Sequence, residues 1–317
     1  MLRRAVGLMV GLALATTPAS AQPAPGPKTP VAPAAARQDY APKPAMWLLQ
    51  DDDTKIYLFG TFHILPPGFR WRTSAFDRAV GESSELVVET YQAPGASTEG
   101  EEAIVAQYFV AKTPSPILTR VPKRHRKVVE RALSGGELPV EAYGFMQTWA
   151  AGFFLAMTDS MKEFGSADPE GIPGVEDQLE ESFRQAGKPI GSIEDGDAVA
   201  RGLFGFFAAM PAKDQSEMLV EVARNVVKGE DKPEDLDDVH DWAKGRAEKM
   251  AEGFEEMPGP MYEVLITRRN AAWADWLAKR LDTPGTMMLA VGAGHFSGPG
   301  SVQELLGKRG LKVTRVQ

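Results

Sequence analysis

Short apolar runs separated by polar turns mark both ends of the chain. Residues 46–50 and 55–59 are apolar runs on either side of Asp51-Asp52-Asp53-Thr54, a pattern that predicts a β-hairpin. Ser74 is placed to cap a helix that runs to Val80, and 86–88 is an apolar run typical of a buried strand. The second strand, the helix and the third strand therefore follow one another in the order of a βαβ unit.

The C-terminal end repeats this order, with a predicted strand at 286–291, a helix at 302–308 and a strand at 311–316. A third unit is predicted where Val175, Leu179 and Phe183 share one helical face, followed by a helix stop at Gly187 and a strand at 189–193. Between about 96 and 280 the pattern is mainly helical. The sequence thus predicts an α/β fold with a mixed central sheet, built from N- and C-terminal βαβ-like units around a large, mainly helical insertion.

The N-terminal residues have the three parts of a secretory signal peptide. Arg3 and Arg4 precede an apolar run at 5–15, and Ala19-Ser20-Ala21 provides small residues at a cleavage site. We therefore predict a signal peptide at 1–21, cleavage after Ala21, and a periplasmic or secreted protein. Segment 22–45 contains seven prolines and is predicted to be a disordered linker before a folded domain at 46–317.

Composition and charge exclude several classes of protein. The 317 residues are 43% hydrophobic and 25% charged, as in ordinary globular proteins, and contain no cysteine. The lack of cysteine excludes disulfides, thiolate metal sites and cysteine nucleophiles. The net charge is −8, and it becomes −10 when the two arginines of the signal peptide are removed. Such an acidic chain is not expected to bind nucleic acid or an anionic membrane, and no transmembrane segment is expected in the mature chain.

Two histidines occur in the same local context. Gly60-Thr61-Phe62-His63 and Gly292-Ala293-Gly294-His295 each follow an apolar strand, and glycine permits a positive φ or close backbone approach there. Glu89 follows the predicted strand 86–88. Because loops at the carboxyl ends of strands collect ligands in α/β sheets, we expect His63, Glu89 and His295 to converge. Two imidazoles and one carboxylate suit a divalent metal ion such as Zn, Mn or Co.

The other two histidines are expected to have no role in chemistry. His125 lies in the basic run 123–127, which predicts a solvated helix start, and His240 lies on an acidic helix. Glu194 ends a strand and precedes a turn, so we expect it to support a site at most.

Five segments resemble the TraB/GumN family, which is similar to the Tiki metalloproteases and is grouped with erythromycin-esterase-like and haem-binding ChaN-like proteins. The resemblance is carried by 57–63, 86–89, 174–194, 269–270 and 291–298. It implies an α/β fold in which each half contributes a Gly-x-x-His motif. It also implies site roles for Glu176 and for the Arg269-Asn270 pair, whose arginine would clamp a substrate carboxylate or stabilise an oxyanion.

These residues leave three functions open. The first is a periplasmic metal-dependent hydrolase, a peptidase or amidase acting on a peptide or small molecule, with His63, Glu89 and His295 holding the metal and Glu176 or a neighbouring acid as general base. The second is a metal-free, esterase-like hydrolase in which one histidine is the base. The third is a non-catalytic protein that binds haem or another ligand, or assists polysaccharide export. The oligomeric state is not predicted.

Overall fold

The computed structural model describes residues 38–66, 68–97, 99–136, 138–163, 174–229, 237–255 and 259–317. The predicted signal peptide and residues 22–37 of the predicted linker lie outside this range. The side chain of Gln38 bonds to the backbone of Arg70, and the Tyr40 hydroxyl lies 2.5 Å from His240 Nδ1. The last part of the predicted linker therefore packs against the fold.

The centre of the protein is one mixed sheet of six strands in the order β4-β3-β5-β2-β1-β6. The strands are β1 (Met46–Gln50), β2 (Thr54–Thr61), β3 (Glu85–Val88), β4 (Ile190–Ser192), β5 (Gly285–Gly292) and β6 (Val313–Arg315). This arrangement confirms the predicted fold class.

Strand β5 joins the two ends of the chain, because it lies between β2 and β3 and is parallel to both. Its residues Met287, Leu289 and Val291 pack on one face of the sheet, and Met288 and Ala290 pack on the other. All five are fully buried, as expected for a central strand covered on both faces.

The outer strands complete the sheet. Strands β1 and β2 form the predicted hairpin, in which the Asp51 carboxylate accepts from the backbone N–H groups of Asp53 and Thr54. Strand β4 is parallel to β3, and β6 is antiparallel to β1. The C-terminal βαβ-like unit therefore crosses over β2 and β1 instead of placing its two strands side by side.

The described helices are α1 (Ser74–Glu82), α2 (Glu99–Tyr108), α3 (Arg126–Ser134), α4 (Thr148–Glu163), α5 (Val175–Gln185), α6 (Gly196–Ala209), α7 (Ala212–Gly229), α8 (Asp237–Ala243), α9 (Ala247–Glu255), α10 (Gly259–Tyr262), α11 (Arg268–Arg280) and α12 (Val302–Lys308). A π-helical turn, Glu263–Thr267, leads directly into α11. Helix α5 buries Val175, Leu179 and Phe183, as the spacing by four predicts. Gly187 follows this helix with a φ of 65°, which is the expected helix stop.

The helical insertion has a hydrophobic core of its own. Helix α4 packs on α7, and the buried ring of Trp149 stacks on Phe204 and Phe207. No helix in the described part of the chain is long and apolar enough to cross a membrane.

Candidate functional site

Three neighbouring parallel strands bring the predicted ligands to one edge of the sheet. His63 follows β2, Glu89 follows β3, and His295 lies in a 3-10 turn, Ala293–Phe296, that follows β5. Because β5 pairs with both β2 and β3, the carboxyl ends of all three strands meet. Glu89 interacts electrostatically with both His63 and His295, so the three groups share one electrostatic environment.

The motif glycines allow the two halves to pack closely. Neither Gly60 nor Gly292 has a positive φ, so these positions do not use the left-handed conformation that glycine permits. A Cβ atom on Gly60 would lie only 2.9 Å from the Cα atom of Ala293 in the second motif. Close approach of the two backbones is therefore the physical reason for a glycine at position 60.

Glu176 is the partner of His63. Its Oε1 atom lies 2.9 Å from His63 Nδ1 and also accepts from the Thr61 hydroxyl, whereas its Oε2 atom is buried and without a hydrogen-bond partner among the described residues. Burial alone would lower the pKa of His63, but the Glu176 carboxylate, with smaller contributions from Glu89 and Asp177, raises it to about 9. His63 is therefore an imidazolium at neutral pH.

The start of helix α5 places Glu176 beside His63. The N–H of Val175 donates to the Phe62 carbonyl at 3.0 Å, and the N–H of Gly174 donates to the Asp177 carboxylate at 2.7 Å. A Cβ atom on Gly174 would lie 2.0 Å from the His63 carbonyl oxygen. Only glycine allows the helix to approach the His63 loop this closely.

His295 is fully buried, and Asn270 sets its tautomer. The Asn270 side-chain amide donates to the Gly300 carbonyl at 2.9 Å, so its Oδ1 atom faces His295 Nδ1 at 2.6 Å. Nδ1 therefore carries the proton, and Nε2 has the lone pair. Burial and the nearby guanidinium of Arg269 lower the pKa of His295 to about 3, so this imidazole is neutral at neutral pH.

Arg269 is buried between two carboxylates. Its Nη2 atom lies 2.5 Å from Glu89 Oε2, and its Nε and Nη2 atoms donate to Glu194 at 2.9 and 2.8 Å. Its Nη1 atom lies 3.4 Å from both the Leu265 carbonyl and His295 Nε2. These contacts direct all five N–H donors of the guanidinium at protein acceptors. Arg269 therefore orders the site and has no donor left for the substrate clamp or oxyanion contact that the resemblance implied.

Glu89 is held as an ionised carboxylate. Its second oxygen, Oε1, accepts from the N–H of Gly292 at 2.7 Å. Burial would raise the pKa of Glu89, but Arg269, His295 and His63 together hold it well below the usual range. The bond to Gly292 also ties the end of β3 to the end of β5.

Glu194 contacts two residues of the site, whereas the sequence indicated at most a supporting role for it. Besides its bonds to Arg269, it accepts from the indole N–H of Trp273 at 2.6 Å, and the ring of Trp273 lies 4.3 Å from that of His295. Glu194 follows β4 as Glu89 follows β3, and its N–H donates to the Glu89 carbonyl. This position after a strand is the sequence signal that could have identified Glu194 as a site residue. The turn that follows Glu194 offered another explanation for an acidic residue there.

His63, Glu89 and His295 have the donor atoms of a site for a divalent metal ion. Among the described residues, no three His, Asp or Glu side chains are arranged as a ready metal site. The donor chemistry fits once His63 has lost a proton, because both imidazoles have Nδ1 beside an oxygen acceptor and Glu89 is ionised. A metal ion bound by His295 Nε2 would lie close to the positively charged guanidinium of Arg269, whose Nη1 atom is 3.4 Å from that nitrogen.

Comparisons with known proteins agree with the residue-level resemblance. No curated protein and no solved structure matches the chain. The family model described as TraB/PrgY/gumN family matches residues 45–315, which include both Gly-x-x-His motifs, Glu89, Glu176 and the Arg269-Asn270 pair. The chain therefore belongs to the TraB/PrgY/gumN family.

Proposed function

We propose that this protein is a hydrolase that cleaves an amide or ester bond, with Glu176 and His63 as its acid–base pair. The observation that carries the proposal is the Glu176 carboxylate, which has one oxygen bonded to an imidazolium and the other buried with no hydrogen-bond partner in the described residues. A buried carboxylate oxygen without a donor is costly, and a water molecule or the hydroxyl of a ligand would satisfy it.

In this proposal the water donates its hydrogen bond to Glu176 Oε2. The carboxylate takes that proton as the water oxygen attacks the carbonyl carbon, and His63 gives its proton to the leaving nitrogen or oxygen. Solvent then returns both groups to their resting protonation states. His295 is kept neutral by burial and by the Arg269 guanidinium, and its Nε2 atom faces Arg269 Nη1 at 3.4 Å, so in this proposal His295 holds Arg269 in place beside the reacting groups. The pKa values of the two imidazoles lie on opposite sides of neutrality, a pattern typical of divided acid–base roles.

The second candidate is the same hydrolysis with a divalent metal ion, Zn, Mn or Co, held by His63, Glu89 and His295. It is favoured by the oxygen partners of both Nδ1 atoms, an arrangement usual for metal-bound histidines. A bound metal would polarise the substrate carbonyl and activate water. His63 would then act as a neutral ligand, and Glu176 would keep its role as general base.

The proposal is tested with two probes, p-nitrophenyl acetate and a fluorogenic casein. We expect hydrolysis of at least one by the wild-type chain, and loss of it in Glu176→Gln and His63→Gln. The matched control is Glu181→Gln, because Glu181 is an exposed residue of the same helix that pairs with Arg184. Inert wild-type protein with both probes, or a fully active Glu176→Gln variant, would contradict the proposal.

Metal analysis and pH dependence separate the two candidates. With His63 as a proton donor, activity falls as pH rises through about 9, and a chelator has no effect. With His63 as a metal ligand, the purified protein holds stoichiometric metal, and a chelator abolishes activity.

We also propose that the protein is exported and acts in the periplasm or outside the cell on a peptide or small-molecule substrate. The support is the signal-peptide pattern of residues 1–21. N-terminal sequencing of the protein from a periplasmic extract should begin at Gln22, and an intact Met1 in the cytoplasmic fraction would contradict this.

A further inference from the structure

A group of basic side chains lies outside the candidate site, where α3 begins beside α7. We call it the His125 cluster, and its members are Lys123, Arg124, His125, Arg126, Lys127 and Arg224. The first five are consecutive, and Arg224 on α7 reaches the same imidazole ring. The basic run by itself predicts a solvated helix start, and its proximity to Arg224, 99 residues away from His125 along the chain, comes from the tertiary structure.

Two guanidinium groups lie against the imidazole of His125. Arg124 Nε lies 2.9 Å from Nε2, and Arg224 Nη2 lies 3.1 Å from Nδ1 and 3.4 Å from Nε2. A neutral imidazole accepts a hydrogen bond at only one nitrogen, and an imidazolium accepts at neither. The two guanidinium groups therefore compete for one acceptor nitrogen, whichever tautomer is present.

The cluster also lacks acidic partners. Within the described residues, no Asp or Glu oxygen lies within ion-pair distance of its five lysines and arginines, although exposed arginines elsewhere do pair, as Arg246 does with Asp241 and Arg309 with Asp275. Burial and the charges of Arg224 and Arg124 lower the pKa of His125. The positive charges thus repel one another without compensation in a chain whose net charge is −8.

We propose that the His125 cluster binds the phosphate group of an anionic ligand. A tetrahedral oxyanion between Arg124 and Arg224 would offer a separate oxygen to each guanidinium and another to the imidazole N–H, so that each donor has an acceptor of its own in a charge-assisted hydrogen bond. Arg126 and Lys127 would add attraction at longer range. Free phosphate and the headgroup of an anionic lipid share this chemistry. If the ligand is a lipid headgroup, the protein would bind a membrane surface through this cluster, although its net charge of −8 opposes such binding.

The test follows the Cε1–H resonance of His125 by NMR in the full chain. The chain has only four histidines, and His125→Gln assigns the signal. Inorganic phosphate, added at constant ionic strength with chloride as the reference, should shift this resonance saturably. The affinity should fall about tenfold or more in Arg224→Gln and in Arg124→Gln, since each loses one charge-assisted hydrogen bond. Arg78→Gln, which removes an exposed arginine of α1, should leave the affinity unchanged.

Vesicles distinguish the two sources. Broadening of the His125 resonance by phosphatidylglycerol vesicles but not by phosphatidylcholine vesicles, lost in Arg224→Gln, identifies a lipid headgroup. A response to free phosphate alone identifies a soluble ligand. Unchanged signals from the other three histidines show that each variant is folded. A His125 resonance that responds to neither phosphate probe, or that responds equally to acetate or to an acidic peptide, would overturn the proposal.

Discussion

Replacing Glu176 with Gln should lower the pKa of His63, because that carboxylate is what keeps the buried imidazole protonated. In the wild-type protein the pKa is about 9, against an ordinary value of 6.5. Burial by itself lowers this pKa, so removal of the Glu176 charge should bring it to 6.5 or below. A fall from about 9 to 6.5 corresponds to about 3 kcal/mol of interaction between the two side chains.

The assay is a pH titration of the histidine Cε1–H resonances in protein freed of metal with a chelator. The wild-type spectrum should contain one histidine that titrates near pH 9 and another, His295, that stays neutral down to about pH 3. Glu176→Gln should abolish the high-pH titration, and His63→Gln should assign it. Glu181→Gln should leave it unchanged. A wild-type His63 that titrates at its ordinary value, or one that still titrates near pH 9 in Glu176→Gln, would refute the reasoning.

The same pair makes stability depend on pH with a defined sign. The pKa of His63 is higher in the folded state than in the unfolded state, so the folded state binds the proton more tightly. The resulting stabilisation is complete below pH 6.5 and disappears as pH rises through about 9. The difference in unfolding free energy between wild type and Glu176→Gln should therefore shrink across this range, and a difference that is constant with pH would contradict the interpretation.

Three further predictions concern the surroundings of the site. Glu194→Gln should lower the free energy of unfolding in urea by about 3 kcal/mol, the scale for removing one partner of a buried ion pair, and a loss under about 0.5 kcal/mol would show that Arg269 does not depend on it. Gly174→Ala should cost about 2 kcal/mol or more, because its Cβ would meet the His63 carbonyl, whereas Gly191→Ala, with open space around it, should not show this steric cost. Zinc at about 100 times its Kd should stabilise the metal-free protein by about 3 kcal/mol if the metal candidate is right, and a Tm that Zn, Mn and Co all leave unchanged would contradict that candidate.

Much of the fold could be predicted from local sequence pattern. The apolar run of β5, the hairpin of β1 and β2 and the buried face of α5 all appear within one or two residues of their predicted bounds, because strand and helix periodicity are local properties. The motif histidines were found for the same reason, as each polar residue follows directly after an apolar strand. Insertion of β5 between β2 and β3 joins segments more than 200 residues apart, and local pattern contains no information on such pairing.

The chemistry of the site was decided by tertiary structure. The sequence alone shows that His63, His295, Glu89 and Arg269 are present, and it predicts that the first three follow strands. It does not show that Arg269 forms ion pairs with Glu89 and Glu194, or that one imidazole is charged and the other neutral. Protonation depends on burial and on charges a few ångströms away, and here those charges come from elements distant in the chain. The same two Gly-x-x-His motifs therefore hold histidines in opposite states, because one faces a carboxylate and the other faces an amide and a guanidinium.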